Sequence, residues 1–153
     1  MRIEIIAVDR LREGWAREAV EEYLGRVRRY CPVERRDVKR GGEDRAAVAA
    51  EGERLLKLAA SGPADRLVAL DPAGEALDSP GWSRLLAGYA NEAVGRLVFL
   101  VGGARGLSDP VRAAAHQVVS LGPQTVSHEL AQVILAEQLY RAWTILRGEP
   151  YHK

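Results

Sequence analysis

The chain contains a single cysteine, Cys31, among its 153 residues. That excludes a disulfide framework and a Cys-rich zinc site, and it fits a reducing, cytoplasmic setting. Histidine is also scarce: His116, His128 and His152 are too scattered to suggest a metal centre. No apolar run approaches the roughly 18 residues that cross a bilayer. The opening Met1-Arg2-Ile3-Glu4-Ile5-Ile6 carries charge inside its apolar stretch and lacks a small-residue cleavage site, so no signal peptide is expected. An excess of one charge is missing as well, with 22 Lys and Arg against 21 Asp and Glu. Two phosphate-cradling glycine patterns are absent. Without G-x-x-x-x-G-K-[ST] the chain is no P-loop nucleotide hydrolase. After the first apolar run, Ala7 to Gly14 offers one glycine where a Rossmann fingerprint needs three. A Rossmann dehydrogenase or Rossmann-type methyltransferase is therefore not expected, and if a nucleoside-bearing ligand binds, it binds later in the chain.

What remains is an ordinary globular composition, 47% hydrophobic and 28% charged, on a length that suits one domain spanning residues 1–153. Short apolar runs at Arg2–Val8, Arg66–Leu70, Arg96–Val101 and Gln117–Leu121 read as strands, with Val33–Val38 a weaker, peripheral one. Helical spacing covers Trp15–Tyr30, Asp44 to about Ala60, Ser79–Ala93, Asp109–His116 and His128–Leu146. Ser61-Gly62-Pro63 ends the second helix, and Asp71-Pro72-Ala73-Gly74 breaks the strand before it. Ser79 is expected to cap the third helix, with Pro80 at its first position. Strands alternating with helices predict a single-domain α/β fold, a mostly parallel sheet with helices on both faces.

Charge is unevenly spread. Arg26, Arg28, Arg29, Arg35, Arg36, Lys39 and Arg40 stand against only Glu34 and Asp37 within one stretch. Such a run predicts either a phosphate-binding patch or a solvated helix end and strand edge. In the last helix, apolar residues from Leu130 to Leu146 occupy most of the circumference. One sheet face cannot bury that, so a twofold homodimer through this helix is expected.

Three strand ends compete as ligand loops: Leu70-Asp71, the glycine cluster Gly102-Gly103-Ala104-Arg105-Gly106, and Leu121 to Ser127. In an open parallel sheet such carboxyl ends line one edge, and glycine lets a ligand approach the backbone closely.

The ordered set Leu70-Asp71, Val101-Gly102-Gly103-Ala104-Arg105-Gly106-Leu107, Ser127-His128-Glu129-Leu130, Glu137 to Ala142 and the final Tyr151-His152-Lys153 resembles the RlmH family along the whole chain. These are small SPOUT-class methyltransferases acting on N3 of a pseudouridine in 23S ribosomal RNA of the assembled ribosome. The resemblance implies a C-terminal trefoil knot, a homodimer and S-adenosylmethionine as cofactor. By motif, cofactor contacts fall on Leu70, Gly102, Gly103, Leu121, Gly122, Pro123, Gln124, Thr125 and Val126. Leu70, Leu121 and Val126 suit the faces of an adenine, and loop backbone groups suit its edge. Two departures are visible: Ser127 stands where members usually have proline, and Gln132 where many carry a basic residue. These changes are expected to loosen the cofactor loop and to remove an RNA contact.

Methylating N3 requires loss of its proton, for which His128, Glu129, Glu137 and His152 are candidates. Arg141 is expected to meet phosphate or uracil oxygen, with an ion pair to Glu137 as its rival. Tyr151 and His152 are expected to fold over the pocket of either subunit, the tyrosine stacking on the target base. His128, Arg141, Tyr151 and His152 thus form the catalytic set. The competing readings are a SPOUT enzyme with another RNA target and a non-catalytic ribosome- or nucleotide-binding module.

Overall fold

The apolar runs assemble side by side, because strands that bury both faces need no alternation. In the computed structural model, which describes residues 1–42, 44–59 and 62–153, the order along the chain is β1 (Arg2–Val8), α1 (Gly14–Val27), β2 (Val33–Val38), α2 (Arg45–Leu58), β3 (Asp65–Ala76), α3 (Ser79–Asn91), β4 (Arg96–Val101), α4 (Asp109–Ala114), β5 (Gln117–Ser120) and α5 (His128–Arg147). The strands form one five-stranded sheet in the order β2-β1-β4-β3-β5, and every pairing is parallel.

The pleat divides the core in two. Ile3, Ile5, Leu97 and Phe99 face Leu24, Trp82, Leu135 and Leu139, contributed by α1, α3 and α5. Ile6, Val98 and Leu100 face Leu55 and Val111, contributed by α2 and α4. Trp82 is wholly buried, its ring tilted against Phe99 at 6.1 Å, and truncating such an aromatic costs about 3–5 kcal/mol. At the amino-terminal edge, Arg96 binds Glu4 at 2.8 Å and Asp65 at 3.2 Å, so the buried charge is paired on both sides.

Several boundaries differ from the sequence reading for local reasons. β3 runs through Asp71–Gly74 instead of stopping there. Its register against β5 shifts between Leu70 and Glu75, so the turn-like residues form an irregularity within the strand. The cap of α3 is Asp78, whose Oδ1 accepts from the Gly81 N–H at 2.7 Å, one residue before the expected Ser79. Helix α2 ends at Leu58, and the predicted stop at Ala60 and Ser61 lies outside the described residues. Ser127, the departure from proline, caps α5 by accepting from the Leu130 N–H at 3.3 Å. The substitution therefore supplies a cap to the loop it was expected to loosen.

Helix α5 packs on α1 and α3. Leu135, Ala136 and Leu139 are fully buried, whereas Leu130 at 37%, Leu146 at 39% and nearby Trp15 on α1 at 52% keep large apolar surfaces exposed. No helix among the described residues is long and apolar enough to cross a membrane.

Candidate active site

All the strand ends that carry the glycine and polar loops lie at the carboxyl edge of the sheet, because every strand is parallel. The irregular stretch of β3 at residues 70–72 and the loops after β4 and β5 close around one cleft of about 410 Å³. Leu70, Gly102, Gly103, Leu121, Gly122, Gln124, Thr125 and Val126 all line it; Pro123, equally expected there, is exposed and does not. Asp71, Ala131 and His128 complete the wall.

Two glycines make the loops possible. A Cβ on Gly102 would stand 2.5 Å from the carbonyl carbon and 2.6 Å from the oxygen of Gly106, so only glycine lets the loop fold back on itself. Gly122 holds φ at +135°, a conformation that side chains rarely adopt. Its N–H donates to Ser120 Oγ at 3.1 Å, and the same hydroxyl donates to the Gly122 carbonyl at 2.9 Å. The Asp71 carboxylate accepts from the Ala73 N–H and from Arg112, each at 2.9 Å, which fastens the β3 wall to α4.

One polar atom in this cleft is left over. His128 Nε2 is buried and, among the described residues, has no hydrogen-bond partner. Buried polar atoms without partners are rare and costly, which singles this nitrogen out.

The other expected catalytic residues are elsewhere. Arg141 lies thirteen residues along α5 from His128, about 20 Å at helical rise. There its guanidinium grips Glu137 Oε1 at 2.6 and 3.0 Å, lies over the Tyr151 ring at 4.6 Å, and approaches His152 Nδ1 at 3.5 Å. The hydrogen bond to Glu137 raises the arginine above its ordinary pKa. Tyr151 donates to Glu137 Oε1 at 3.0 Å and packs on Tyr140 at 4.7 Å between centroids. Burial, then hydrogen bonding with Tyr23 and Glu137, pushes its phenol well above the usual range. Tyr30 donates to Glu149 at 2.6 Å, and its pKa is pushed up to about 12, chiefly by burial. The tail is thus docked on the far end of its own helix. The structure brings Arg141, Tyr151 and His152 together but not to their own chain's cleft.

Two candidate bases are committed to other contacts. Glu129 Oε1 accepts from the backbone N–H groups of Arg12 and Glu13, the latter at 3.1 Å, tying α5 to the β1–α1 loop. Glu137 is held by Arg141 and Tyr151 as above. Sequence reasoning missed the anchoring role of Glu129, and no spacing pattern announces it.

The basic run is not one patch. Arg26 and Arg28 pair with Glu22 and Glu21 at the end of α1, beside the amino-terminal edge. Arg36 pairs with Glu4 at 3.0 Å. Arg35 is turned inward: Nε donates to Gln132 Oε1 at 2.7 Å and Nη2 to the Asp9 carbonyl at 3.0 Å. Gln132 is itself 1% exposed, so its departure from a basic residue removes no surface contact. Only Lys39 and Arg40 reach the carboxyl edge. No group of three His, Cys, Asp or Glu among the described residues is arranged to hold a metal.

Residues 1–152 match the family model described as "Predicted SPOUT methyltransferase". Proteins named "Ribosomal RNA large subunit methyltransferase H" are similar throughout. That of Geotalea daltonii is 43% identical over 99% of both chains, and that of Geobacter metallireducens 42% identical over the same shares. The one from Gemmatimonas aurantiaca is 39% identical over the full length of both. A solved structure, "Probable Methyltransferase" from Bordetella pertussis Tohama I, shares the fold. Its TM-score is 0.59 at 16% identity, covering 92% of this chain and 95% of its own. With the family model matched from end to end and these relatives far above 30% identity, the chain belongs to the SPOUT methyltransferase family, enzymes that move a methyl group from a donor.

Proposed function

We propose that this protein, one SPOUT domain over residues 1–153, methylates N3 of a pseudouridine in 23S ribosomal RNA, acting in the cytoplasm on the assembled ribosome with S-adenosylmethionine as donor. The observation that carries the reading is the cleft itself. A stretch within β3 and the loops after β4 and β5, distant in sequence, converge on one space, and His128 on its wall has a buried Nε2 without a partner among the described residues.

The residues present fit the donor. Leu70, Leu121 and Val126 offer apolar faces of the kind an adenine takes, and the glycine loops expose backbone N–H and C=O groups at close range. When bound, the sulfonium supplies an already activated methyl group. The protein's share is then orientation and a proton path. His128 accepts the N3 proton in this reading, since Glu129 is occupied by the Arg12 and Glu13 amides and Glu137 by Arg141 and Tyr151.

The tail enters from a second copy. Arg141, Tyr151 and His152 sit about 20 Å along α5 from their own cleft. A twofold pairing of two copies through α5 would bring one copy's tail towards the other's cleft and give part of the exposed apolar surface a partner. Tyr151 then stacks on the target base while Arg141 meets its oxygens. The knotted connection belongs to the same reading, with α5 leaving the junction where the β4 and β5 loops meet.

The test is methylation of ribosomes purified from a strain lacking the modification, using labelled S-adenosylmethionine and mass mapping of the RNA. Label at one pseudouridine of 23S RNA is expected. Label on another RNA would replace the target, and failure to bind S-adenosylhomocysteine would leave a non-catalytic module.

A further inference from the structure

Beside the cleft lies a basic surface that neither the cleft's lining nor the family match assigns. Two further concavities lie along the carboxyl edge of the sheet, over β2, β1 and β4. One, of about 440 Å³, is walled by Arg10, Arg12, Lys39 and Arg40 together with Asp9 and Asp37. The next, of about 170 Å³, is walled by Arg40 and Arg105 with Gly42, Glu51 and Ala104. Arg40 is common to both, and Ala104 is common to the second and the cleft. The three spaces are therefore neighbours, adjoining at Arg40 and Ala104, with the cations at one end and His128 at the other.

The acids along this surface neutralise one of its cations, Arg12, and leave Arg10, Lys39 and Arg105. Asp9 is engaged by Arg12 at 2.9 Å, and Asp37 by the inward-turned Arg35 at 3.1 Å. Glu51 is buried and accepts from the Gly41 N–H at 2.8 Å. Arg10 and Arg105 are exposed and, among the described residues, make no side-chain hydrogen bond or ion pair. Elsewhere Arg26, Arg28, Arg36, Arg96, Arg112 and Arg141 are all paired with acids.

The loops bearing these cations are held by buried groups. Glu129 holds the Arg12 and Glu13 amides, and Arg35 holds the Asp9 carbonyl, where Asp9 takes a left-handed φ of +67°. Glu51 fixes Gly41, and a Cβ on Gly103 would lie 3.1 Å from Val8 Cγ1 and 3.4 Å from Glu51 Oε2. Backbone pinned beneath the Arg10 and Arg105 guanidinium groups limits the entropy given up when a polyanion binds.

We propose that this surface binds the phosphate backbone of the RNA strand flanking the target nucleotide, with Arg10, Lys39 and Arg105 as phosphate contacts. The proposal rests on the rRNA reading above. Guanidinium and ammonium groups contact phosphate without reading sequence, so they set the strand's register while the cleft selects the base.

The test compares the wild-type protein with R10E/K39E/R105E on purified ribosomes, with Arg2→Glu at the opposite edge of the sheet as a charge control. Sedimentation over a salt series gives the binding slope, labelled S-adenosylmethionine gives turnover, and calorimetry with S-adenosylhomocysteine reports the cleft. The triple variant is expected to keep S-adenosylhomocysteine affinity within twofold and to raise KM for ribosomes at least tenfold. Its plot of log affinity against log salt should be flatter by about 2, at roughly 0.7–0.9 for each phosphate no longer neutralised. Arg2→Glu should match wild type. An unchanged KM and slope in the triple variant overturns the proposal while leaving the functional reading intact, as does an equal loss from Arg2→Glu. Loss of S-adenosylhomocysteine affinity also overturns it, because the cations would then be supporting the cleft. A wild-type protein that neither binds nor methylates ribosomes overturns the functional reading and the proposal with it.

Discussion

Replacing Gly102 by alanine puts a methyl group where the β4 loop meets its own backbone. The new Cβ would stand 2.5 Å from the Gly106 carbonyl carbon, 2.6 Å from its oxygen and 3.0 Å from its Cα. All three atoms are backbone, so no side chain can swing away, and the loop must open by about 1 Å to restore van der Waals distance. Overpacking of this kind costs about 1–3 kcal/mol, which at this chain length lowers Tm by roughly 2–4 °C per kcal/mol. The same shift displaces the Gly102–Gly103 edge of the cleft. Weakening even one backbone hydrogen bond to a bound nucleoside, worth about 1 kcal/mol, together with poorer packing of the loop against it, predicts at least a tenfold loss of affinity. The assay is calorimetric titration with S-adenosylhomocysteine beside a thermal melt. Gly88→Ala is the control: nothing lies within 4 Å of its added Cβ, and its place inside α3 predicts a gain of about 0.5–1 kcal/mol with unchanged affinity. If Gly102→Ala binds S-adenosylhomocysteine like wild type and melts no lower, the β4 loop is not the tight backbone fold described here and is not a cofactor wall.

Deleting Tyr151–Lys153 should leave S-adenosylhomocysteine affinity intact while abolishing methyl transfer, since the tail is docked away from its own cleft; retained turnover would remove it from the reaction. Gln132→Leu leaves Arg35 Nε without its acceptor in a buried site, and urea denaturation should show a loss of about 1–3 kcal/mol. Burial pushes the Cys31 thiol up to about 11, from an ordinary value near 9, against smaller opposing effects from the N-terminal amine and the Trp143 indole. The native protein should therefore resist a disulfide reagent at pH 8 and react once unfolded in urea. Because the folded pKa is the higher one, this group's contribution is intact below pH 9 and declines as pH rises to 11, by an amount on the order of 2 kcal/mol. Stability that rises over that window would contradict the assignment.

Much of the architecture is legible from periodicity. The uninterrupted apolar run at β4 is buried along its whole length, and such a run has one comfortable place, the middle of a parallel sheet. The irregular strand at Asp71–Gly74 was not legible. Asp-Pro and Gly signal a turn locally, and only the distant pairing of Glu75 with Val119 keeps the chain extended. The convergence of the 70–72 stretch of β3 with the β4 and β5 loops follows from parallelism, but strand order does not: nothing local places β4 between β1 and β3.

The charge run shows the limit most sharply. Residues 26–40 look like a patch because they are neighbours in sequence, yet β2 spans six residues, about 20 Å at strand rise. It therefore carries the chain from one edge of the sheet to the other. Arginines at the start of the run join acids and aromatic rings beside the tail, Arg35 midway is half-buried against Gln132 of α5, and the last two cations reach the carboxyl edge. There they meet Arg10 and Arg105, which sequence places 29 residues before Lys39 and 65 after Arg40. A strand that crosses the sheet divides a sequence cluster, and parallel strands ending at one edge create a new cluster from residues that no spacing rule connects. Charge near the cleft is thus a property of the strand order, and its meaning becomes readable only when the loops are seen from the edge where all five strands end.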